Sequence, residues 1–248
     1  MSSHEPRPKT GTLRESAYET ILSAIIFGDI PAGSRIDEKK IARTFGIGIA
    51  SVRDALLRLS LEKMVERHAR VGTSIPTLGF REIQEVFEAR VIVEGACAGM
   101  AADRASPAEV AQLRSAFGGY KSAIANRDFR KLVRMDQVFH RTMAASSRNA
   151  YFERAMVILH NNASRFWFIG LPRIPSKALI ADIEAHLDVA AAIEARDAAS
   201  ATRAMRDVLG HFPDYMTNLL AAPELYVRDG RGRGPQPRGP RRRAAASA

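Results

Sequence analysis

Residues 28–75 read GDIPAGSRIDEKKIARTFGIGIASVRDALLRLSLEKMVERHARVGTSI, and this stretch decides how the fold begins. Gly28-Asp29-Ile30-Pro31-Ala32-Gly33 is a run of turn formers that stops any helix before it. The spacing predicts a short helix from Asp37 to Phe45, a break at Gly46, and a second helix from Ile49 to Leu61. Past Lys63 the pattern changes to Met64-Val65-Glu66-Arg67, a polar turn, and Gly72-Thr73-Ser74-Ile75. Two short strands around a basic turn make a hairpin. Two helices joined by a glycine turn and followed by a hairpin form a winged helix-turn-helix, which sets its second helix in a DNA major groove and its wing beside the backbone.

Toward the N-terminus, Leu13 to Phe27 reads as a helix, with Leu13, Ala17, Ile21, Ala24 and Ile25 on one face. Residues 1–12 are expected to be flexible, and Met1 to Thr10 is polar with no apolar leader. No window approaches the roughly 20 apolar residues of a membrane helix. The single cysteine, Cys97, rules out an intramolecular disulfide and fits a reducing compartment, so a cytoplasmic protein is expected.

Toward the C-terminus, Pro76 to Gly79 is the one visible linker, which divides a DNA-binding unit at 13–77 from a helical unit at 78–222. Helices are expected near 80–103, 107–126, 128–146, 149–168, 176–195 and 198–220. Ser106-Pro107-Ala108-Glu109 marks one start: Ser caps, Pro suits the first helical position, and Glu completes a capping box. Residues 223–248 are rich in Arg, Pro and Gly, with too little apolar content to fold alone. The fold class is therefore mostly α, a winged helix-turn-helix followed by an all-helical bundle.

The 248 residues are 46% hydrophobic and 26% charged, as in a globular protein. The net charge of +10 looks like a nucleic-acid signal, but residues 225–248 alone hold seven of the arginines and one acid. Charge by itself is thus a weak argument for DNA binding by the folded part, and the bland alternative is a solvated tail.

Two helical stripes in the second unit carry polar groups. Ile83, Phe87, Arg90, Glu94, Cys97 and Ala101 recur at three- and four-residue steps, which puts Arg90 and Glu94 on an apolar face. Buried charges need partners. Either the two pair one turn apart, or Arg90 faces a cavity and grips an anionic ligand bidentately. The second stripe runs Leu132, Asp136, Phe139, His140, Met143; Asp136 and His140 lie four apart, the geometry of two metal ligands and equally of a hydrogen-bonded pair. His186 shares a face with Val189 and Ile193.

The run from Gly28 to Ile75 resembles the winged domain of the GntR family of regulators at Gly28, Pro31-Ala32-Gly33, Arg35-Ile36, Ile41-Ala42, Val52-Arg53-Asp54-Ala55-Leu56, Leu59, Val65 and Gly72. The resemblance implies that Lys39 and Arg53 contact DNA and that Gly72 lies in the wing; Arg35 joins them from its charge and position. Lys suits phosphate as a point charge, whereas Arg can fork onto guanine. Where the family commonly reads Ser-Arg-Thr-Pro-Val-Arg, this chain has Gly48-Ile49-Ala50-Ser51-Val52-Arg53, so Ile49 replaces a DNA-contacting arginine.

Arg90…Glu94, Asp136-Gln-Val-Phe-His140 and the segment from His186 to Asp197 resemble the FCD effector domain of the FadR-type branch, over about residues 80–220. That resemblance implies a helical pocket, a divalent metal, zinc or another transition metal, held by one Asp and three His, and small organic acids as effectors. The family's last histidine falls at Val208 here, and His211 lies one turn further on. Either a bent helix lets His211 substitute, or the site has three protein ligands, or it has no metal. Trp167 faces the same cavity or belongs to the core. The function expected is a dimeric, ligand-responsive regulator on a two-half-site operator; the alternative is a metalloenzyme using Asp136, His140 and His186 as a two-His, one-carboxylate site.

Overall fold

A computed structural model of the chain describes residues 10–68, 70, 72–77 and 79–210. The tail expected from 223 onward, the stretch 211–220 of the last expected helix and the first nine residues lie outside them.

The first unit opens with α1 (Thr10–Ile26), which begins three residues before the expected start. Its Tyr18, Ile21, Leu22 and Ile25 are buried together with Val52, Ala55, Leu56 and Leu59 of α3 (Ile49–Leu61). Between them, α2 (Glu38–Phe45) is started by Asp37, whose carboxylate accepts the Lys40 N–H at 3.0 Å. It is ended by Gly46, which sits at φ +65 and donates its N–H to Ala42 O. A β-carbon disfavours that left-handed backbone, so glycine forms the turn between the helices. Strands β1 (Glu66–His68) and β2 (Gly72–Ser74) pair antiparallel with Arg67 opposite Thr73, and Arg35 bridges to Ser74 on the other side of β2. The wing is thereby tied back to the loop before α2.

The second unit is all helical among its described residues. The helix α4 (Phe80–Arg104) is packed by α7 (Phe129–Ser146), α8 (Ala150–Gly170), α9 (Ser176–Glu194) and α10 (Ala198–Gly210). Close approach of α10 needs a small residue on α4, because a Cβ at Gly99 would fall 2.5 Å from Thr202 Oγ1 and 3.3 Å from Ala198 O. The capping box of Ser106 and Glu109 starts the next helix, with Ser106 N donating to Glu109 Oε2 at 2.8 Å.

One expected element divides. The helix read over 107–126 is two, α5 (Pro107–Ser115) and α6 (Tyr120–Ala125), parted by Gly119 at φ +82. Periodicity had carried across the break, but the Gly118-Gly119 pair provides a left-handed corner there. A three-residue 3-10 turn, Leu171–Arg173, links α8 to Pro175 and α9.

Candidate metal centre and DNA-binding face

Four side chains from three helices converge inside the second unit. From α7 come Asp136 and His140, from α8 His160, and from α9 His186. His160 Nε2 lies 2.8 Å from Asp136 Oδ2, and His140 Nε2 lies 3.4 Å from Asp136 Oδ1. His186 Nε2 is 3.2 Å from His140 Nε2 and 3.6 Å from Asp136 Oδ1. Ligand atoms of Asp136, His140 and His160 all fall within 4.8 Å of one another.

The other ring nitrogens are directed elsewhere. His186 Nδ1 donates to the Asp182 carbonyl at 2.7 Å, and His140 Nδ1 lies 2.7 Å from Glu94 Oε2. His160 Nδ1 faces the Ser164 hydroxyl at 3.4 Å. The His186 contact fixes that ring's tautomer and leaves its Nε2 lone pair for a cation. One carboxylate and three imidazoles is a donor set suited to zinc and its transition-metal neighbours.

The electrostatics favour the same occupant. Glu94 is fully buried and His140 is 1% exposed. Burial opposes ionisation of Glu94 and Asp136, but Arg90 and His140 hold the first well below the ordinary carboxylate range, and His140 and His160 do so for the second. Burial also opposes a charge on His140, yet Glu94 and Asp136 outweigh it and raise the ring to about 9. His160 is pushed down to about 4, by burial first and by His140 second. Glu94, Asp136 and Asp182 bring three carboxylates to the centre against the one guanidinium of Arg90, and a protonated His140 supplies positive charge that a bound cation would supply instead.

Of the residues read as a metal site, Asp136, His140 and His186 are together, and His211 lies outside the described residues. His160 was missed, although it sits on an apolar stripe of α8 with Met156, Ala163 and Trp167, the same kind of signal that drew attention to Asp136 and His140. Val208, at the position of the family's last histidine, lines the cavity beside the centre. Arg90 pairs with Glu94, its Nε donating to Oε1 at 2.6 Å, and it also lines the cavity. Trp167 is half-buried and also lines that cavity.

The opposite side of α8 faces the winged unit. Asn162 Nδ2 donates to Glu62 O at 2.9 Å, and Glu62 is the residue that ends α3. Tyr18 donates to Glu62 Oε2 at 2.6 Å and receives Asn161 Nδ2 at 3.4 Å. Arg165 donates to Pro76 O at 2.8 Å, and the Phe168 ring meets Phe27 edge-on at 5.0 Å. From α7, Arg141 bonds Glu19 through both terminal nitrogens. Within this seam Asn161 Oδ1, Arg141 Nε and Arg165 Nη1 are buried with no hydrogen-bond partner among the described residues. Burial alone pulls the Arg165 guanidinium down to about 10.

On the first unit, Arg35, Lys39 and Arg53 are exposed, as is Gly72 at φ +111. Arg53 Nε is paired with Glu38 at 2.8 Å, within a groove between α2, α3 and the wing that Arg67 and Thr73 also line. Ile49, at the first turn of α3, is 38% exposed.

A winged helix-turn-helix joined to a helical domain with an internal cavity defines a DNA-binding transcription regulator with an effector domain. The chain belongs to the gntR family of bacterial regulatory proteins, whose model matches residues 13–75, and carries an FCD domain over residues 85–211. It is 24% identical over 140 residues, 56% of this chain and 62% of the relative, to an uncharacterized HTH-type transcriptional regulator, YdhC, of Bacillus subtilis (strain 168). That alignment spans less than two thirds of the relative's length. It is 25% identical over 205 residues, 83% of this chain and 89% of the relative, to a probable D-xylose utilization operon transcriptional repressor of Paenarthrobacter nicotinovorans. The fold is that of E. coli McbR/YncC, with a TM-score of 0.74 at 18% identity over 84% of this chain and 98% of that one. The family and these relatives are transcription regulators and not enzymes, which sets aside the metalloenzyme alternative. Among the described residues no helix is long and apolar enough to cross a membrane.

Proposed function

We propose that the chain is a cytoplasmic regulator that binds a two-half-site operator as a homodimer and changes its affinity when a small carboxylate enters the helical cavity. The observation that carries this reading is the convergence of three imidazole Nε2 atoms on the half-buried Asp136 carboxylate. Asp136, His140, His160 and His186 would hold a divalent transition metal, zinc or a close neighbour. A bound cation would supply Lewis acidity toward a carboxylate oxygen, while Arg90, fixed by Glu94, adds positive charge to the same cavity. The relative named for a D-xylose utilization operon is in keeping with control by a small metabolite.

On DNA, Arg53 reads a base edge, Lys39 and Arg35 meet phosphates, and the wing at Gly72 lies along the backbone. Ile49, at the place where the family pattern has arginine, meets a thymine methyl. Arg53→Ala is expected to lower operator affinity by about 1–3 kcal/mol. Lys39→Ala is expected to weaken all DNA binding and flatten its salt dependence. Fluorescence anisotropy on operator and random duplexes, paired with elemental analysis of the purified protein, tests both halves. Protein purified without stoichiometric metal that also takes none up on titration would remove the metal from the reading; unchanged operator binding by both variants would remove the groove assignment.

A further inference from the structure

Arg53 stands in the second turn of α3 and Glu38 is the first residue of α2, and both line one groove of about 290 Å³. Arg67 and Thr73 bring the wing into the same wall. The Arg53 side chain is 67% exposed, yet it is not left to sample rotamers, because its Nε donates to Glu38 Oε2 at 2.8 Å. Glu38 in turn has a fixed backbone beside the Asp37 cap, and its side chain is 33% exposed. The other carboxylate on the groove, Asp54, is turned to Arg14, with Oδ2 3.1 Å from Arg14 Nε. Among the described residues the two Nη groups of Arg53 have no hydrogen-bond partner.

An acid on a face that meets DNA needs a physical reason, since a carboxylate only accepts hydrogen bonds and repels phosphate oxygens. A guanidinium reads guanine through O6 and N7, two acceptors that a pair of Nη groups can meet end-on. With Nε held by Glu38, the Nη end is what Arg53 has left for DNA, and its plane is set before DNA arrives. Guanine therefore takes Arg53 without breaking the pair. Random sequence offers phosphate oxygens instead; to follow one, Arg53 must leave Glu38, and the carboxylate stays behind as a repelling charge. An exposed pair of this kind is worth up to about fivefold in an equilibrium constant, so its loss falls on random DNA and widens the gap to the operator by about that factor.

We propose that Glu38 is a specificity-determining residue of the DNA-binding face: it positions Arg53 for guanine and penalises its use on phosphate. The inference rests on the reading above that Arg53 meets a base edge, and adds what selects the base over the backbone. Glu38 itself touches no base in this arrangement.

Full-length wild type is used to select a duplex from a randomised pool. Each base pair of that duplex is then changed singly and titrated by anisotropy, with a random duplex alongside. Arg53→Ala locates the pair that Arg53 reads, as the position where discrimination flattens. Glu38→Ala should lower discrimination at that pair and at no other, tighten binding to the random duplex, and reduce the ratio of selected to random affinity about three- to fivefold. Glu38→Gln keeps an acceptor for Nε but removes the charge, so it should also tighten random binding yet retain discrimination at the pair. In the Arg53→Ala background, Glu38→Ala should leave base discrimination unchanged, because a residue acting through Arg53 has nothing left to position. A purely structural Glu38 would lower Tm and weaken both duplexes alike; that outcome, or an unchanged ratio in Glu38→Ala, would overturn the inference. Discrimination lost in the double variant beyond that lost in Arg53→Ala would overturn it too, since Glu38 would then contact a base. Should Arg53→Ala flatten no position, the base-edge reading fails and takes the inference with it, whereas flattening by Arg53→Ala and not by Glu38→Ala removes the inference alone.

Discussion

At the scale of single residues, the proposed metal site implies an exchange of ligands between helices. The position that matches the family's last histidine is Val208, on α10, which lines the cavity; His160, on α8, lines it too and contacts Asp136. His160→Ala should therefore abolish stoichiometric metal, and adding Val208→His to it should restore binding by returning a ligand to α10. Elemental analysis and a competition titration against a chelator check both; metal retained in His160→Ala would remove His160 from the ligand set. Glu94→Gln keeps the shape but weakens the hold on His140 Nδ1, and should cost about 10–100-fold in metal affinity. Asp136 and His140 were readable in the sequence because four-residue spacing brings them onto one helical face. His160 also lay on an apolar helical stripe, but it has no second polar group of the site one turn away on α8, since Asp136 lies 24 residues off in sequence, and so nothing local joined it to the other three.

At the scale of elements, α8 joins two faces that sequence periodicity could not relate. His160 and Ser164 look into the cavity, while Asn161, Asn162, Arg165 and Phe168 grip the winged unit at Glu62, Tyr18, Pro76 and Phe27. The helix itself was expected near 149–168; which of its residues meet another domain depends on tertiary packing, which stripes do not encode. Its grip is also incomplete, since buried polar atoms on Asn161 and Arg165 lack partners among the described residues, and each such atom raises the docked state by roughly 1–3 kcal/mol. Those unpaired atoms offset part of what the seam's contacts contribute, so a shift of α8 that accommodates a ligand at His160 can change the set of α3. Replacing both Asn161 and Asn162 by alanine should leave metal content unchanged and reduce the metal- and ligand-dependent change in operator affinity, a coupling typically of about 1–3 kcal/mol, to near zero. Anisotropy titrations with and without zinc measure it; full coupling in the double variant would mean that the signal passes elsewhere.

At the scale of the whole molecule, the mostly helical fold was readable because long amphipathic stripes, caps and turn formers agree with one another. The division between α5 and α6 was lost only where a glycine pair interrupts an otherwise continuous pattern. Charge is the property that sequence distributes most unevenly: residues 225–248 hold seven arginines against one acid, while the recognition helix arginine Arg53 is paired to Glu38. An exposed pair of this kind holds Arg53 by less than about 1 kcal/mol, so DNA competes for it easily. The arginines after 224 have few neighbouring acids in sequence and should act on phosphates of any duplex. Deleting residues 225–248 should therefore weaken binding to random DNA at low salt and make the slope of log K against log salt shallower, by up to about 0.9 for each phosphate no longer neutralised. The ratio of operator to random affinity should hold or rise, because on the proposed reading base contacts remain with Arg53 and Ile49. Anisotropy titrations on both duplexes between low and physiological salt give slope and ratio together, and a ratio that collapses on deletion would mean that the C-terminal arginines read sequence as well as charge.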